Sequence, residues 1–167
     1  RHRMTQSGLG DQRTERLLNP SMMPGFFVSI FYAVLDKETS RVSCANAGHP
    51  PLLLFGFASR ECEWVRPRGI AVGLVRNRAE GFPMEEREFA LNPGDFALFY
   101  TDGIPDALGE GGSRFGRDRI LELAMETGRQ GASGFLTSLD ARLSQFTANQ
   151  PIADDITAVV VGRSHAR

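Results

Sequence analysis

The sequence predicts an α+β fold in which two antiparallel sheets pack on each other between flanking helices. β-rich segments fill the first part of the chain, helical periodicity appears only from residue 117 onward, and one strand segment ends the pattern. The first strand segment is apolar on both alternating faces, which indicates a sheet covered on each side. A chain of 167 residues, 41% of them hydrophobic, has the size of one domain with a sizeable core.

The first 25 residues are rich in arginine, glycine and polar side chains. Residues 12–18 are expected to end a helix before Asn19-Pro20, because proline disfavours helix in the residue before it. We therefore expect 1–25 to be an upstream helix end or linker, partly disordered, 26–163 to be the folded domain and 164–167 to be a tail. Because the chain starts without an initiator Met, we expect it to be an N-terminally incomplete fragment.

The strand signals begin with residues 26–36, which are rich in β-branched and aromatic side chains. A polar turn at 37–40 and a return over 41–45 predict a hairpin. Asn92-Pro93-Gly94-Asp95 is typical of a tight turn. All-antiparallel pairing is expected with further strands at 52–55, 62–65, 83–90, 95–101 and 156–161.

Two helices are predicted late in the chain. The first runs over 117–127 and ends at Gly128, and the second follows Ser133 as N-cap, with apolar residues at 3.6-residue spacing from Phe135 to Phe146. The pair is expected to cover one face of a sheet.

Composition excludes several classes of function. Nineteen basic and 20 acidic side chains give a net charge of -1, so no general attraction to nucleic acid or to an acidic membrane is expected. Cys44 and Cys62 have neither C-x-x-C spacing nor the density of a disulfide scaffold. No apolar run reaches the length of a membrane span or of a signal peptide. We expect a cytoplasmic protein.

Two acidic sites carry the chemistry that the sequence suggests. Asp102 follows the strand signal ending in Phe99-Tyr100-Thr101, and Asp154-Asp155 precede the last strand signal. Carboxylates at strand ends are ligands for a hard cation such as Mg²⁺ or Mn²⁺. Asp-Gly after a strand is also a common turn, and paired aspartates also occur in solvated loops, so the residues alone leave both interpretations open.

Four short motifs in order then resemble the C-terminal part of the metal-dependent PPM-type serine/threonine protein phosphatases, in the bacterial branch that includes SpoIIE and RsbU. The similarity runs from about residue 26 to residue 161. The motifs are Asn46-Ala47-Gly48-His49-Pro50-Pro51, Gly94-Asp95 leading into Phe99-Tyr100-Thr101-Asp102-Gly103, Phe115-Gly116 opening a helix, and Asp154-Asp155-Ile156-Thr157.

The resemblance implies a two-metal Mn²⁺ or Mg²⁺ site in which Asp102 and Asp154 are metal ligands, while Asp155 either binds or tunes the site. Members of the family also carry an upstream Asp-Gly pair that binds metal. Residues 1–25 contain no such pair, since Asp11 is preceded by Gly10 and followed by Gln12. We expect part of the metal cage in this chain.

The function implied is hydrolysis of phosphoserine or phosphothreonine in a regulatory protein by metal-activated water. The resemblance further implies a phosphorylated anti-anti-sigma-like partner and an upstream sensor domain, and it leaves a homodimer open. The alternative is a non-catalytic interaction module with the same fold. We expect His49 to fix its loop and Asp106 to lie at the surface. The loop around Ser113-Arg114 is either a substrate flap or a linker.

Other phosphatase chemistries fit the residues poorly. A covalent aspartyl phosphatase needs a second Asp two residues after the nucleophile, where Ile104 stands. A cysteine phosphatase needs a phosphate loop with Arg after its Cys. Cys44 starts a loop without Arg, and Cys62 is followed by a segment without glycines.

Overall fold

A computed structural model describes residues 25–74, 84–148, 150 and 154–164 of the chain. The expectations for residues 1–24 lie outside the described residues. The chain divides into two compact units, Arg1–Pro51 with Arg66–Ala90, and Leu52–Val65 with Leu91–Arg167. All strands paired in the described residues are antiparallel, as predicted.

The first unit contains a three-stranded sheet. Its strands are β1 (Ile30–Asp36), β2 (Arg41–Ala47) and β5 (Glu86–Ala90), in the order β1-β2-β5. The predicted hairpin is confirmed, with Asp36 paired to Arg41 across the turn. The first predicted strand starts four residues late, although Val28 still forms an isolated bridge with Val72.

The prediction that the first strand is buried on both faces is wrong. The first four residues of β1 are half-buried and its last three are exposed, with Val34 38% and Leu35 40% accessible. The reason lies in its position, because β1 is at the edge of this sheet and β2 is at its centre. β2 has five fully buried residues and makes the interior of the unit.

The second unit contains a four-stranded sheet with three helices. Its strands are β3 (Leu52–Gly56), β4 (Glu61–Val65), β6 (Phe96–Tyr100) and β7 (Ala158–Gly162), in the order β4-β3-β6-β7. Its α-helices are α1 (Gly103–Asp106), α2 (Gly116–Thr127) and α3 (Gly131–Thr147). Short 3₁₀ turns occupy Glu110–Gly112 and Gly128–Gln130.

The two long helices pack on this sheet, as predicted. Phe96 of β6 stacks on Phe55 of β3 and on Phe135 of α3, with ring centroids 5.0 and 4.8 Å apart. Ile120 and Leu123 of α2 are buried in the same cluster. Burying large apolar side chains is worth roughly 1.5–3 kcal/mol each, so this cluster is the main source of stability in the unit.

Three further features of the second unit differ from the prediction. Ser133 is not the N-cap of α3, which begins at Gly131, because a 3₁₀ turn continues from α2 and Gly131, with φ +77°, redirects the chain. The four-residue helix α1 was not predicted, since one turn is too short to show a period. β7 begins at Ala158, two residues late, because Thr157 bonds to Thr101 ahead of the strand.

The α+β class with two antiparallel sheets and helices is confirmed. Among the described residues, none of the helices is long and apolar enough to cross a membrane.

Candidate metal centre

The acidic segments lie at one edge of the four-stranded sheet. Tyr100, the last residue of β6, pairs with Ala158, the first residue of β7. Asp102 leaves this edge two residues after β6, and Asp154-Asp155 approach it just before β7. The antiparallel register therefore brings together two sites that are about fifty residues apart in sequence.

Thr101 joins the two segments by three hydrogen bonds. Its backbone N–H donates to the carbonyl of Thr157 at 3.0 Å, and its hydroxyl donates to the carbonyl of Asp155 at 2.8 Å. The N–H of Thr157 donates back to the Thr101 hydroxyl at 2.9 Å. Because the Thr101 hydroxyl both donates to and accepts from the segment 155–157, it fixes the spacing of the two segments.

Gly103 allows the segments to approach closely. It is buried, and an ideal Cβ on it would lie 2.4 Å from the carbonyl oxygen of Asp155 and 3.3 Å from that of Asp154. Real Cβ atoms do not tolerate such a distance, so only glycine fits here without displacing the acidic segment. The Asp-Gly pair is thus more than a turn, because its glycine faces the other acidic site.

The carboxylates are exposed at this edge. The Asp102 side chain makes no capping hydrogen bond at the start of α1, although its carbonyl accepts the N–H of Asp106 at 2.9 Å. One oxygen of Asp154 accepts the N–H of Asp155 at 2.7 Å. The Asp102 carboxylate makes no capping bond and the Asp154 carboxylate accepts this one, so both keep acceptor positions for another ligand.

The donor set fits a hard divalent cation in chemistry and only in part in number. Carboxylate oxygens are the ligands that Mg²⁺ and Mn²⁺ prefer. Within the described ranges, however, no three His, Cys, Asp or Glu side chains come together in an arrangement that could hold a metal ion. Asp102, Asp154 and Asp155 can therefore supply part of a cage and need further ligands to complete one.

His49 belongs to the other unit and has a structural environment. The Asn46 side chain accepts the N–H of His49 at 2.8 Å and donates to its carbonyl at 2.9 Å. The His49 ring lies 3.3 Å from the carbonyl of Pro50 and edge-on to Phe31. The predicted hydrogen bonding of this corner to the backbone is present, and Asn46, only 2% exposed, is the residue that organises it.

The thiol of Cys44 is buried and that of Cys62 is half-buried, and both have the properties of unreactive groups. Burial raises the pKa of Cys44 and of Cys62 to about 11, with the Arg87 guanidinium lowering that of Cys44 slightly. A thiol with so high a pKa is almost fully protonated at neutral pH and is a poor nucleophile. This agrees with the rejection of a cysteine phosphatase.

Asp106 and the loop after α1 form a small ordered structure. Asp106 is exposed, as predicted, and it makes an ion pair with Arg114 at 2.5 Å. The N–H of Gly109 donates to the carbonyl of Ser113 at 2.8 Å, and Leu108 bridges to Arg114. These contacts close the loop on itself, which favours a connector between helices over a substrate flap.

Asp95 is a buried carboxylate whose role was not foreseen. It is 5% exposed and accepts the N–H of Phe57, the N–H of Asn92 and the Asn92 side-chain amide, at 2.8 to 3.0 Å. It therefore ties the turn before β6 to the end of β3. The Asn-Pro-Gly-Asp signal predicted the turn, but only the contact with Phe57, 38 residues away, reveals the clamp.

The family model of Stage II sporulation protein E (SpoIIE) matches residues 11–164. The chain is also similar to Protein IcfG of Synechocystis sp., with 27% identity over 138 residues, which are 83% of this chain and 21% of IcfG. This chain thus spans about a fifth of that relative.

Solved structures show the same fold. The SiaA-PP2C domain of Pseudomonas aeruginosa matches with a TM-score of 0.71 and 22% identity, covering 89% of this chain and 56% of that one. The RsbU and RsbW domains of Rv1364c from Mycobacterium tuberculosis match with a TM-score of 0.66 and 24% identity, covering 92% of this chain and 40% of that one. The Mn-presoaked phosphatase domain of SpoIIE from Bacillus subtilis matches with a TM-score of 0.63 and 16% identity, covering 97% of this chain and 69% of that one. The chain covers about half of the SiaA domain.

Proposed function

The chain belongs to the SpoIIE family, whose solved relatives are PP2C-type phosphatase domains, and from this membership we propose that it hydrolyses phosphoserine or phosphothreonine in a regulatory protein. The observation that carries the proposal is the hydrogen bonding of Thr101 to the Asp155–Thr157 segment. It brings Asp102 and Asp154-Asp155 to one edge of a rigid sheet.

Asp102 and Asp154 would hold Mn²⁺ or Mg²⁺, with Asp155 as a further ligand or as a neighbour that tunes the site. When bound, a metal pair supplies an acidified water as nucleophile and neutralises charge on the phosphoryl group. The residues around the carboxylates position them. Thr101 and Gly103 hold the two acidic segments next to each other, which keeps the carboxylates at the same edge of the sheet.

Membership of the family supports the substrate class, and the charge of the chain bears on how a partner is recognised. The net charge of -1 provides no general attraction for a phosphorylated partner, so recognition depends on local contacts. We propose a phosphorylated, anti-anti-sigma-like regulator as partner, an upstream sensor domain as the source of the signal, and a cytoplasmic location. The RsbU and RsbW domains of Rv1364c, which share one protein, support a place in such signalling.

The test needs the complete cage. We would place a family segment carrying the Asp-Gly pair in front of residues 26–163 and measure phosphate release from a phosphoserine peptide with Mn²⁺. We expect turnover that EDTA abolishes and that Asp102→Asn removes. Unchanged turnover in Asp102→Asn would contradict the role of this carboxylate.

A non-catalytic interaction module is the second candidate. It is favoured by the incomplete set of ligands in the described ranges. The same experiment separates the two, because a module without catalytic function stays inactive even when the upstream pair is supplied.

A further inference from the structure

The first unit contains a cavity of about 420 Å³ beside the β2–β3 corner. Its lining comes from two segments, Asn46, Gly48 and His49 in the first and Arg66 to Ile70 in the second. Its volume falls within the roughly 300–1,000 Å³ of small-molecule sites. The acidic residues of the candidate metal centre belong to the other unit and do not line it.

Close backbone packing builds this cavity. An ideal Cβ on Gly69 would lie 1.9 Å from the carbonyl oxygen of Asn46, and one on Gly48 would lie 2.9 Å from Ala71. Gly48 also has a φ of +73°, which glycine adopts without strain. Asn46, buried and bonded twice to His49, holds the corner in place. These contacts hold the backbone of the two lining segments together.

The side chains that line the cavity include basic groups and no acidic ones. Arg66 and Arg68 line the cavity together with His49, and none of the eight described lining residues is acidic. Arg66 is exposed and makes no ion pair or hydrogen bond with any described residue. A guanidinium offers several N–H donors in a planar fork that matches an oxyanion.

Glu85 neutralises one of the two arginines only weakly. Its carboxylate lies 3.6 Å from the Nε of Arg68 and also accepts the backbone N–H of Arg68 at 2.9 Å. The Arg68 side chain is 92% exposed, and an ion pair of such exposure is worth about 0–1 kcal/mol. A dianion that contacts both arginines can compete with an interaction of this size.

We propose that this cavity is an oxyanion site that takes a phosphate group, with Arg66 as its main ligand and Arg68 as the second. The site is separate from the proposed catalytic carboxylates, and the inference does not depend on catalysis. A phosphate group carries a charge of about -1.5 to -2 at neutral pH and three strong acceptor oxygens, which suits two guanidinium donors. Free phosphate and a phosphoryl group on a protein share this chemistry.

The proposal is tested by titrating the 167-residue chain with inorganic phosphate in EDTA, by calorimetry and by amide shifts of Gly48 and Gly69. EDTA removes divalent metal, so neither binding at the carboxylates nor turnover contributes. We expect saturable binding that Arg66→Gln weakens at least about tenfold, since a hydrogen bond to a charged group is worth about 1.5–3 kcal/mol. Arg66→Lys should lose less than Arg66→Gln.

The matched control is Arg117→Gln, the same charge change at an exposed position of α2 in the other unit. It should leave phosphate affinity within about twofold, because Arg117 does not line the cavity. Equal affinity of Arg66→Gln and wild type, or no saturable binding at millimolar phosphate, would overturn the proposal. A negative result would not bear on the proposed metal centre, because the titration is carried out without metal.

A second arm distinguishes the sources of phosphate. A phosphoserine peptide and its unphosphorylated form are titrated under the same conditions. Tighter binding of the phosphopeptide than of inorganic phosphate, lost in Arg66→Gln, supports a site for protein-borne phosphate. Equal or weaker binding than inorganic phosphate, again sensitive to Arg66, supports a site for the free ion. A phosphate-specific role would be overturned if the phosphorylated and unphosphorylated peptides bound the wild-type protein equally, and Arg66→Gln changed neither affinity.

Discussion

The hydroxyl of Thr101 donates a hydrogen bond of 2.8 Å to the backbone carbonyl of Asp155. The same oxygen accepts the N–H of Thr157, so a single side chain satisfies two backbone groups of the second acidic segment. This relationship makes the spacing of the candidate metal ligands depend on a residue that binds no metal itself.

Removing this hydroxyl should destabilise the second unit. We expect Thr101→Val to lower the free energy of unfolding by about 1–3 kcal/mol, because it removes two hydrogen bonds worth about 0.5–1.5 kcal/mol each. Urea unfolding measures the change. Thr137→Val is the control, since the Thr137 hydroxyl bonds only within α3 and is exposed, and it should cost less. Equal losses in the two variants would show that Thr101 does not join the segments.

The 167-residue chain alone should show negligible turnover of p-nitrophenyl phosphate with Mn²⁺. Hydrolysis of phosphate monoesters needs accelerations up to about 10²¹, and a cage that lacks its upstream Asp-Gly ligands cannot supply much of this. Initial rates with and without EDTA test the expectation. Robust activity that EDTA abolishes would show that these residues complete the cage without the upstream pair.

High pH should destabilise the protein through its buried thiols. Burial raises the pKa of Cys44 and Cys62 to about 11 from the ordinary 9.0, so above pH 9 the folded state holds more protons than the unfolded state. The contribution of the thiols is therefore complete below about pH 9 and is lost as the pH rises toward 11. Urea unfolding across this range should show a smaller loss for Cys44→Ala/Cys62→Ala than for wild type. Parallel losses in the two proteins would contradict the raised pKa values.

The exposed apolar residues ahead of β1 should cause self-association or strand exchange of this chain. Phe26 is 62% and Phe27 58% exposed, next to an edge strand, and apolar edges of this kind favour pairing between chains. Sedimentation over a wide range of concentrations measures the association. Phe26→Ser/Phe27→Ser should reduce it. A wild-type chain that stays monomeric throughout, with full cooperative unfolding, would refute this expectation.

Local chemistry made most of the fold predictable. The turn at 37–40, the Asn-Pro-Gly-Asp turn and the apolar period of α2 and α3 gave the element types in the right order, because each signal lies within a few residues. Burial of β1 was not predictable in this way. Its apolar pattern is that of a central strand, whereas its exposure depends on its place at the sheet edge.

The candidate site was predictable in its residues but not in its geometry. Asp102 and Asp154-Asp155 are visible as acidic groups beside strands, but their proximity depends on the pairing of β6 with β7 across nearly sixty residues. The part played by Thr101 and Gly103 appears only when the two segments face each other. The Arg66 cavity likewise needs the packing of Gly69 on Asn46, for which the sequence has no local signal.

A control for Asp102→Asn needs an exposed aspartate that makes no ion pair. Asp106 is the nearest other carboxylate in sequence, but its pairing with Arg114 closes the loop after α1, so its replacement would disturb the structure. Asp140 is exposed on α3 and makes no ion pair or hydrogen bond with the described residues, and it is the better control.

The most direct test of the central claim is Mn²⁺ calorimetry with phosphopeptide turnover for Asp102→Asn and Asp140→Asn, in the protein supplied with the family Asp-Gly segment. Asparagine keeps the shape and the turn but removes the charge that a divalent ion needs. We predict a folded Asp102→Asn protein that loses more than about a hundredfold in turnover and metal affinity, beyond the usual effect of changing a residue that only supports a metal ligand. Asp140→Asn should behave as wild type. Equal behaviour of the two variants would contradict the assignment of Asp102 as a metal ligand.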